Sequence, residues 1–274
     1  MKRVAALSVL SFTLPFCSLM AFEEIPWFGI PLEAYLNVRY TYAEYNKVQN
    51  AHPPLRNPSR SHLICTGLDF VASPVLDAGV EIEVTHTPKL DWAVRSMAVQ
   101  GRYLWLDDIV GDPITFNTGV IFRWVPPHSL TDISTPYHAR YNTEVNAAIG
   151  KEWGGWKRYL YRSYGFLGIG MAETGYPWLR TFMAGDCIYD GRFQYTLFAA
   201  SYWGFGSHQN VDIKHFDGYA HLHHQSIDLG IQVRYLMEIW GSFSFDYAHR
   251  VYAHSFPQNV NFFTVRYQLP FSLF

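Results

Sequence analysis

The chain has 274 residues and a net charge of −2, a balance that carries no electrostatic footprint for a nucleic-acid partner. Aromatic residues make up 18% and apolar residues 49%, yet no apolar run after Leu19 is long enough to cross a bilayer as a helix. Three cysteines in a chain of this length exclude the disulfide framework of a small secreted domain.

The first residues pair the basic Lys2 and Arg3 with an apolar run from Val4 to Leu19 that ends in small residues near Ala21. This is the pattern of a secretory signal, and it predicts removal of residues 1–21 and a mature chain of 22–274. Cys17 raises a lipoprotein signal as an alternative, but Pro15 and Phe16 before it are the wrong neighbours for lipid attachment.

From Leu32 the even positions read Leu32, Ala34, Leu36, Val38, Tyr40 and Tyr42, against Glu33, Asn37, Arg39 and Thr41 at odd positions. A period of two argues a strand with one apolar and one polar face. Further on, Ala78, Val80, Ile82 and Val84 alternate with Asp77, Glu81, Glu83 and Thr85. Ile114, Phe116, Val120, Phe122 and Trp124 alternate with Thr115, Asn117 and Arg123. The same phase runs through Tyr141 to Ile149 against Asn142, Glu144 and Asn146, and through Ile227 to Tyr235 against Asp228, Gln232 and Arg234. Strands are expected near 32–45, 62–73, 75–87, 92–106, 113–125, 140–153, 159–171, 178–189, 191–206, 219–236, 238–252 and 260–271. The seventh and eighth are the weakest, because Gly165, Gly168 and Gly170 blur the alternation, and ten or fourteen strands are the alternatives.

Two features separate a membrane barrel from a soluble sandwich, which also alternates. The long connections, 46–61, 126–139 and 207–218, all fall at odd-numbered positions, as expected when outer loops are long and periplasmic turns short. Tryptophans fall near strand ends, as interfacial rings should: Trp92, Trp124, Trp178 and Trp203 at outer ends, and Trp105, Trp153 and Trp240 at inner ends. Trp27 and Trp156 lie in periplasmic segments. The fold class expected is all-β, a transmembrane antiparallel up-and-down barrel of twelve strands.

On these residues the mature chain resembles the outer-membrane β-barrel proteins of Gram-negative bacteria, and in size the small twelve-stranded porins and channels. Its end, Val265-Arg266-Tyr267-Gln268-Leu269-Pro270-Phe271-Ser272-Leu273-Phe274, is similar to the signal read by the outer-membrane assembly machinery. Phe274, however, shares its phase with Ser272, Pro270, Gln268 and Arg266, so Pro270 should bend the strand or the strand should end early. The resemblance implies an outer-membrane location, with membrane lipid and lipopolysaccharide as surroundings, and no cofactor.

The phases place Arg39, Glu81, Glu83, Arg123, Glu144, Arg192, Asp228, Arg234, Glu238, Asp246 and Arg266 on the inner face. A lining of mixed sign suits a channel for small hydrophilic solutes, where opposed charges form a constriction. The same charges, paired across a closed lumen, suit an anchor whose loops bind a surface ligand. Accessible Arg39, Arg123, Arg234 and Arg266 would mark the channel, and paired groups in a plugged lumen the anchor. All twelve histidines fall in outer loops or outer strand halves, with His208, His215, His221, His223 and His224 the densest group and weak metal-ligand candidates. A rim hydrolase is a third reading, resting on Asp246, His249, His254 and Ser255, although Asp246 and His249 are three apart and point to opposite faces of a regular strand. Cys65 and Cys187 lie in different strands at opposite ends and are expected to stay unpaired. The acidic stretch 107–112 reads as a turn and not as a calcium loop, because it lacks alternating oxygen ligands and a terminal glutamate.

Overall fold

A computed structural model describes residues 24–54, 58–154 and 158–272. The signal segment 1–21, Trp156 and Phe274 lie outside the described residues. The twelve wall strands, numbered in chain order, begin with β1 (Glu33–Tyr45), β2 (Ser59–Ser73), β3 (Leu76–His86) and β4 (Ala93–Leu106). Next come β5 (Thr115–Trp124), β6 (Tyr141–Gly154), β7 (Tyr159–Ala172) and β8 (Trp178–Tyr189). The last four are β9 (Phe193–Gly204), β10 (Gln225–Leu236), β11 (Ser242–His254) and β12 (Asn261–Ser272). Each pairs antiparallel with its sequence neighbours, and β1 pairs with β12 from Glu33↔Ser272 to Glu44↔Asn261, closing the barrel.

Closure leaves no unpaired edge, which is what allows strands to cross hydrocarbon. Side chains on the outer face are apolar and exposed: Val80 (50%), Val145 (60%), Ile169 (57%) and Leu197 (69%) have nothing of the protein to cover them. Their inward neighbours, such as Glu81, Asn146 and Thr196, are buried. This is the inversion of a soluble protein, and it is the pattern of a lipid-facing wall. Trp105, Trp153 and Trp240 stand exposed near the inner ends, where an interfacial girdle belongs.

Connections alternate as expected, with 46–58, 125–140 and 205–224 at one end and the turns 74–75, 190–192 and 237–241 at the other. In the three-residue connection 190–192, Asp190 and Gly191 both adopt positive φ (53° and 65°), the type I′ geometry that matches strand twist, and the Arg192 amide closes the turn on Tyr189 O (3.1 Å). Cys65 and Cys187 are free thiols. In the turn 107–112, Asp108 accepts a hydrogen bond from the Glu152 amide (2.6 Å) and one from Thr115, so its carboxylate organises the turn.

Three details differ from the sequence expectation. Strand β10 starts at Gln225 and not near 219, because residues 219–224 turn into the barrel mouth, where Tyr219 and His224 are fully buried. Strand β12 neither bends nor stops at Pro270, which pairs with Tyr35 in unbroken register. Pairing with β11 ends at Ser242↔Gln268, so Pro270 lies beyond the ladder that its missing amide would weaken. Trp178, expected at the outer interface, and Trp27, expected in a periplasmic segment, are both inside the barrel, 4% and 3% exposed.

The long outer loops fold inward together. Residues 51–52 pair with 211–212, and 47–48 pair with 257–258. Tyr45, Val48, Ile133, Val211, Phe216, Tyr219, Leu222, Phe256 and Val260 form one apolar cluster across the mouth.

Candidate functional site

The lumen holds a cavity of about 350 Å³ in its middle, between two closures. The upper closure is the loop cluster, which lowers Tyr137, His138 and His224 toward the chamber. His138 stacks on Trp178 (ring centroids 4.3 Å, 18°) and meets the Tyr202 hydroxyl through Nδ1 at 3.0 Å and His224 Nε2 at 3.3 Å. Burial pushes the His138 imidazole down to about 3, and burial followed by its neighbour His138 pushes His224 well below its ordinary value, so both rings are neutral at pH 7.

The lower closure is the segment before β1. Glu24 to Ile30 runs inside the barrel, with Ile25, Trp27 and Phe28 buried. Its sequence explains this placement. Pro26 and Pro31 break the strand pattern, and the exposed carbonyls are taken up by the wall: Asn117 Nδ2 donates to Pro26 O (2.8 Å) and Arg102 Nη1 to Ile25 O (3.0 Å). Trp27 donates its indole N–H to Asp108 (2.8 Å), lies under the Arg162 guanidinium (4.9 Å) and packs edge-on against Tyr164.

Between the closures, Arg39, Arg123, Arg180, Arg250 and Arg266 face Glu24, Glu81, Glu83, Glu144 and Asp228 among the lining residues, a balanced lining of five and five. The pairs divide into three clusters. Arg123 holds Glu81 at 2.9 Å and Glu83 at 3.5 Å, and Arg39 approaches the same two acids at 3.9 and 3.8 Å. Glu83 also accepts from Tyr137 (2.5 Å) and Ser96 (2.7 Å), which ties the loop to the wall. Arg180 sits between Glu144 (2.8 Å) and Glu24 (2.9 Å), and Trp178 donates to Glu144 at 3.2 Å. Arg250 grips Asp228 through two hydrogen bonds of 2.7 and 2.9 Å, the bidentate geometry of a strong charge pair.

Of the residues the sequence assigned to the lumen, Arg39, Glu81, Glu83, Arg123, Glu144, Asp228 and Arg266 line this chamber. Arg234 and Asp246 point inward but lie outside its lining; Asp246 binds Arg266 (2.7 Å) and Gln232 (2.8 Å). Glu238 is a correction. It lies in the inner turn before β11, exposed, because that strand begins at Ser242 and residues 238–240 form a single 3-10 turn; Arg192, also expected on the inner face, is exposed in the turn before β9, 3.7 Å from Glu238. Sequence reasoning missed Arg180, Arg250 and Glu24. Arg250 shares the even phase of Asp246 and could have been found, whereas Glu24 precedes any periodic pattern.

The histidine group does not assemble. His208 lies beside His221 (6.1 Å), His223 beside His254 (5.6 Å), His215 on Asp212 (3.0 Å), and His224 inside against His138. Among the described residues the three-ligand group close enough for a metal is Cys65, Glu81 and Glu83, and the arginines around its carboxylates oppose a cation. The hydrolase residues are also apart: His249 bonds Asn261 (2.9 Å), and Ser255 donates to the Gln209 carbonyl (2.5 Å).

No protein-family model and no curated protein matches the chain. Among solved structures, the COG4313 outer membrane channel from Pseudomonas putida F1 is similar with a TM-score of 0.64 at 11% identity, over 89% of this chain and 97% of that one. The NanC porin is similar with a TM-score of 0.53 at 10% identity, over 84% of this chain and 97% of that one. With an apolar exterior that only a bilayer covers, the chain has the fold of the outer-membrane β-barrels to which these channels belong.

Proposed function

We propose that the protein is an outer-membrane channel for small hydrophilic solutes that rests closed. The observation carrying this reading is the charged chamber itself, held between two closures that belong to the loops and to the leading segment, not to the barrel wall. Charges withdrawn from water are costly even when paired, and a barrel that only anchors its loops gains nothing from a polar cavity. The leading segment is attached to the wall through the side chains of Asp108, Asn117 and Arg102, contacts that can be released without breaking a strand-to-strand hydrogen bond. Likeness to channels of the same fold supports the reading.

The pairing of Arg39, Arg123 and Arg266 and the closure of both ends favour a second reading, in which the barrel anchors its loops for a surface ligand. Single-channel recording of the refolded mature protein in a planar bilayer separates the two. The channel reading expects brief openings in the wild type and long-lived ones after removal of residues 22–30. Silence in both proteins, each shown to be folded, would leave the anchor.

A further inference from the structure

Arg234 on β10 is the largest fully buried side chain among the described residues, 2% exposed, and it points into the lumen. It forms no ion pair, and its Nη1 has no hydrogen-bond partner among the described residues. In the adjoining cross-strand row Asp246 is held by Arg266 and Gln232, and Asp186 accepts from Gln194 (2.8 Å) through one oxygen and acts on Arg234 only from beyond ion-pair distance. A buried guanidinium with no carboxylate in contact, and only the more distant Asp186 to offset its charge, is unfavourable, and such a group marks a place where a further negative charge can be held.

The register shows what surrounds it. Pairing across β9, β10, β11, β12 and β1 sets out the row Gln194, Arg234, Ser244, Arg266, Arg39. Three of these five positions carry guanidinium groups and none carries an acid. Arg266 and Arg39 stand directly opposite one another, where like charges repel. Three buried donors in the row have no hydrogen-bond partner among the described residues: Arg234 Nη1, Ser244 Oγ and Arg39 Nε. Arg234 and Arg266 are separated by one strand, a Cα span of about 9–10 Å that two arginine arms can close around one anion. Arg39 and Arg266 also line the chamber, so the row is reachable from it.

We propose that this row binds a small oxyanion, a carboxylate or a phosphate group, held by Arg234 and Arg266 with Ser244 donating between them. Planar guanidinium groups match the paired oxygens of such groups. The proposal deepens the channel reading by giving its solute a chemical class, and it rests on that reading for its role but not for its binding.

The test is thermal unfolding of the refolded mature protein in detergent, titrated with sodium phosphate or sodium acetate against sodium chloride at equal ionic strength. The midpoint should rise saturably with at least one oxyanion, and which one identifies the group. Arg234→Gln should weaken apparent affinity about tenfold or more, and Ser244→Ala, which keeps every charge, severalfold. A response equal in wild type and both variants, or one that follows ionic strength alone, would overturn the site. If Arg234→Gln does not refold, Ser244→Ala carries the comparison. Saturable binding in a protein whose bilayers stay silent keeps the site and removes the channel; openings without saturable binding do the reverse.

Discussion

Glu24 and Arg180 join the leading segment to the chamber wall through an ion pair of 2.9 Å. Both side chains keep some solvent contact, so the pair contributes roughly 0.5–1 kcal/mol to docking of the segment. Glu24→Gln should therefore raise the open fraction in bilayer recordings only two- to fivefold or so. Trp27→Ala removes a buried indole, its bond to Asp108 and its packing on Tyr164. That loss of about 3 kcal/mol or more should raise the open fraction on the order of a hundredfold. Recordings indistinguishable from wild type for Trp27→Ala would remove the segment as the lower closure.

The upper closure should weaken in acid. His138 is held near 3 by burial, against an ordinary 6.5, and His224 is lowered too. A group with a depressed imidazole pKa stays neutral in the closed form and takes up a proton when released. Its contribution to closure is complete above about pH 6.5 and is lost progressively as pH falls toward 3. Protonation is opposed further by Arg250 and by the neighbouring imidazole of His223. Limited proteolysis of the outer loops should accelerate between pH 7.5 and 5, and His138→Phe, which keeps the stack on Trp178, should flatten that dependence. An unchanged rate across this range would count against the histidine pair.

Much of this was legible in the sequence, and the boundary of legibility is physical. Alternation in β3 identified Glu81 and Glu83 as inward because Val80, Ile82 and Val84 must face lipid. Periodicity reports a wall, however, and says nothing about what fills it. The Glu24–Ile30 segment has no period, and nothing in its sequence shows that Asn117 and Arg102 donate to its carbonyls from the wall. Trp178 stands at the outer end of β8, a position that predicts an interfacial ring, and its inward course depends on the space at Gly170 paired with it on β7, which alternation does not report. His138 and His224 are 86 residues apart, in loops where no pattern links them.

Gly170 on β7 makes room for Trp178. A Cβ at this position would lie 1.9 Å from the indole Cε2, so Gly170→Ala must displace the ring that stacks on His138 and donates to Glu144. Overpacking of this kind costs about 1–3 kcal/mol, and the urea unfolding midpoint should fall accordingly. Gly165→Ala on the same strand meets nothing nearer than the Phe182 carbonyl at 3.7 Å and should leave the midpoint unchanged or raise it slightly. Equal effects from the two substitutions would mean that the ring is free to move aside.

Arg102 links wall stability to lower closure. It pairs with Asp77, with both side chains at most 4% exposed, while donating to Ile25 O and lying over Phe28 (4.9 Å). Arg102→Met strands a buried carboxylate and should cost about 3–5 kcal/mol in unfolding experiments. It also releases the segment and should lengthen openings. Adding Asp77→Asn removes the stranded charge and should recover much of the stability, but it cannot restore the bond to Ile25. The double variant should therefore be nearly as stable as wild type and still open more often. Recovery of both properties together would show that Arg102 acts on the segment only through the fold of the wall.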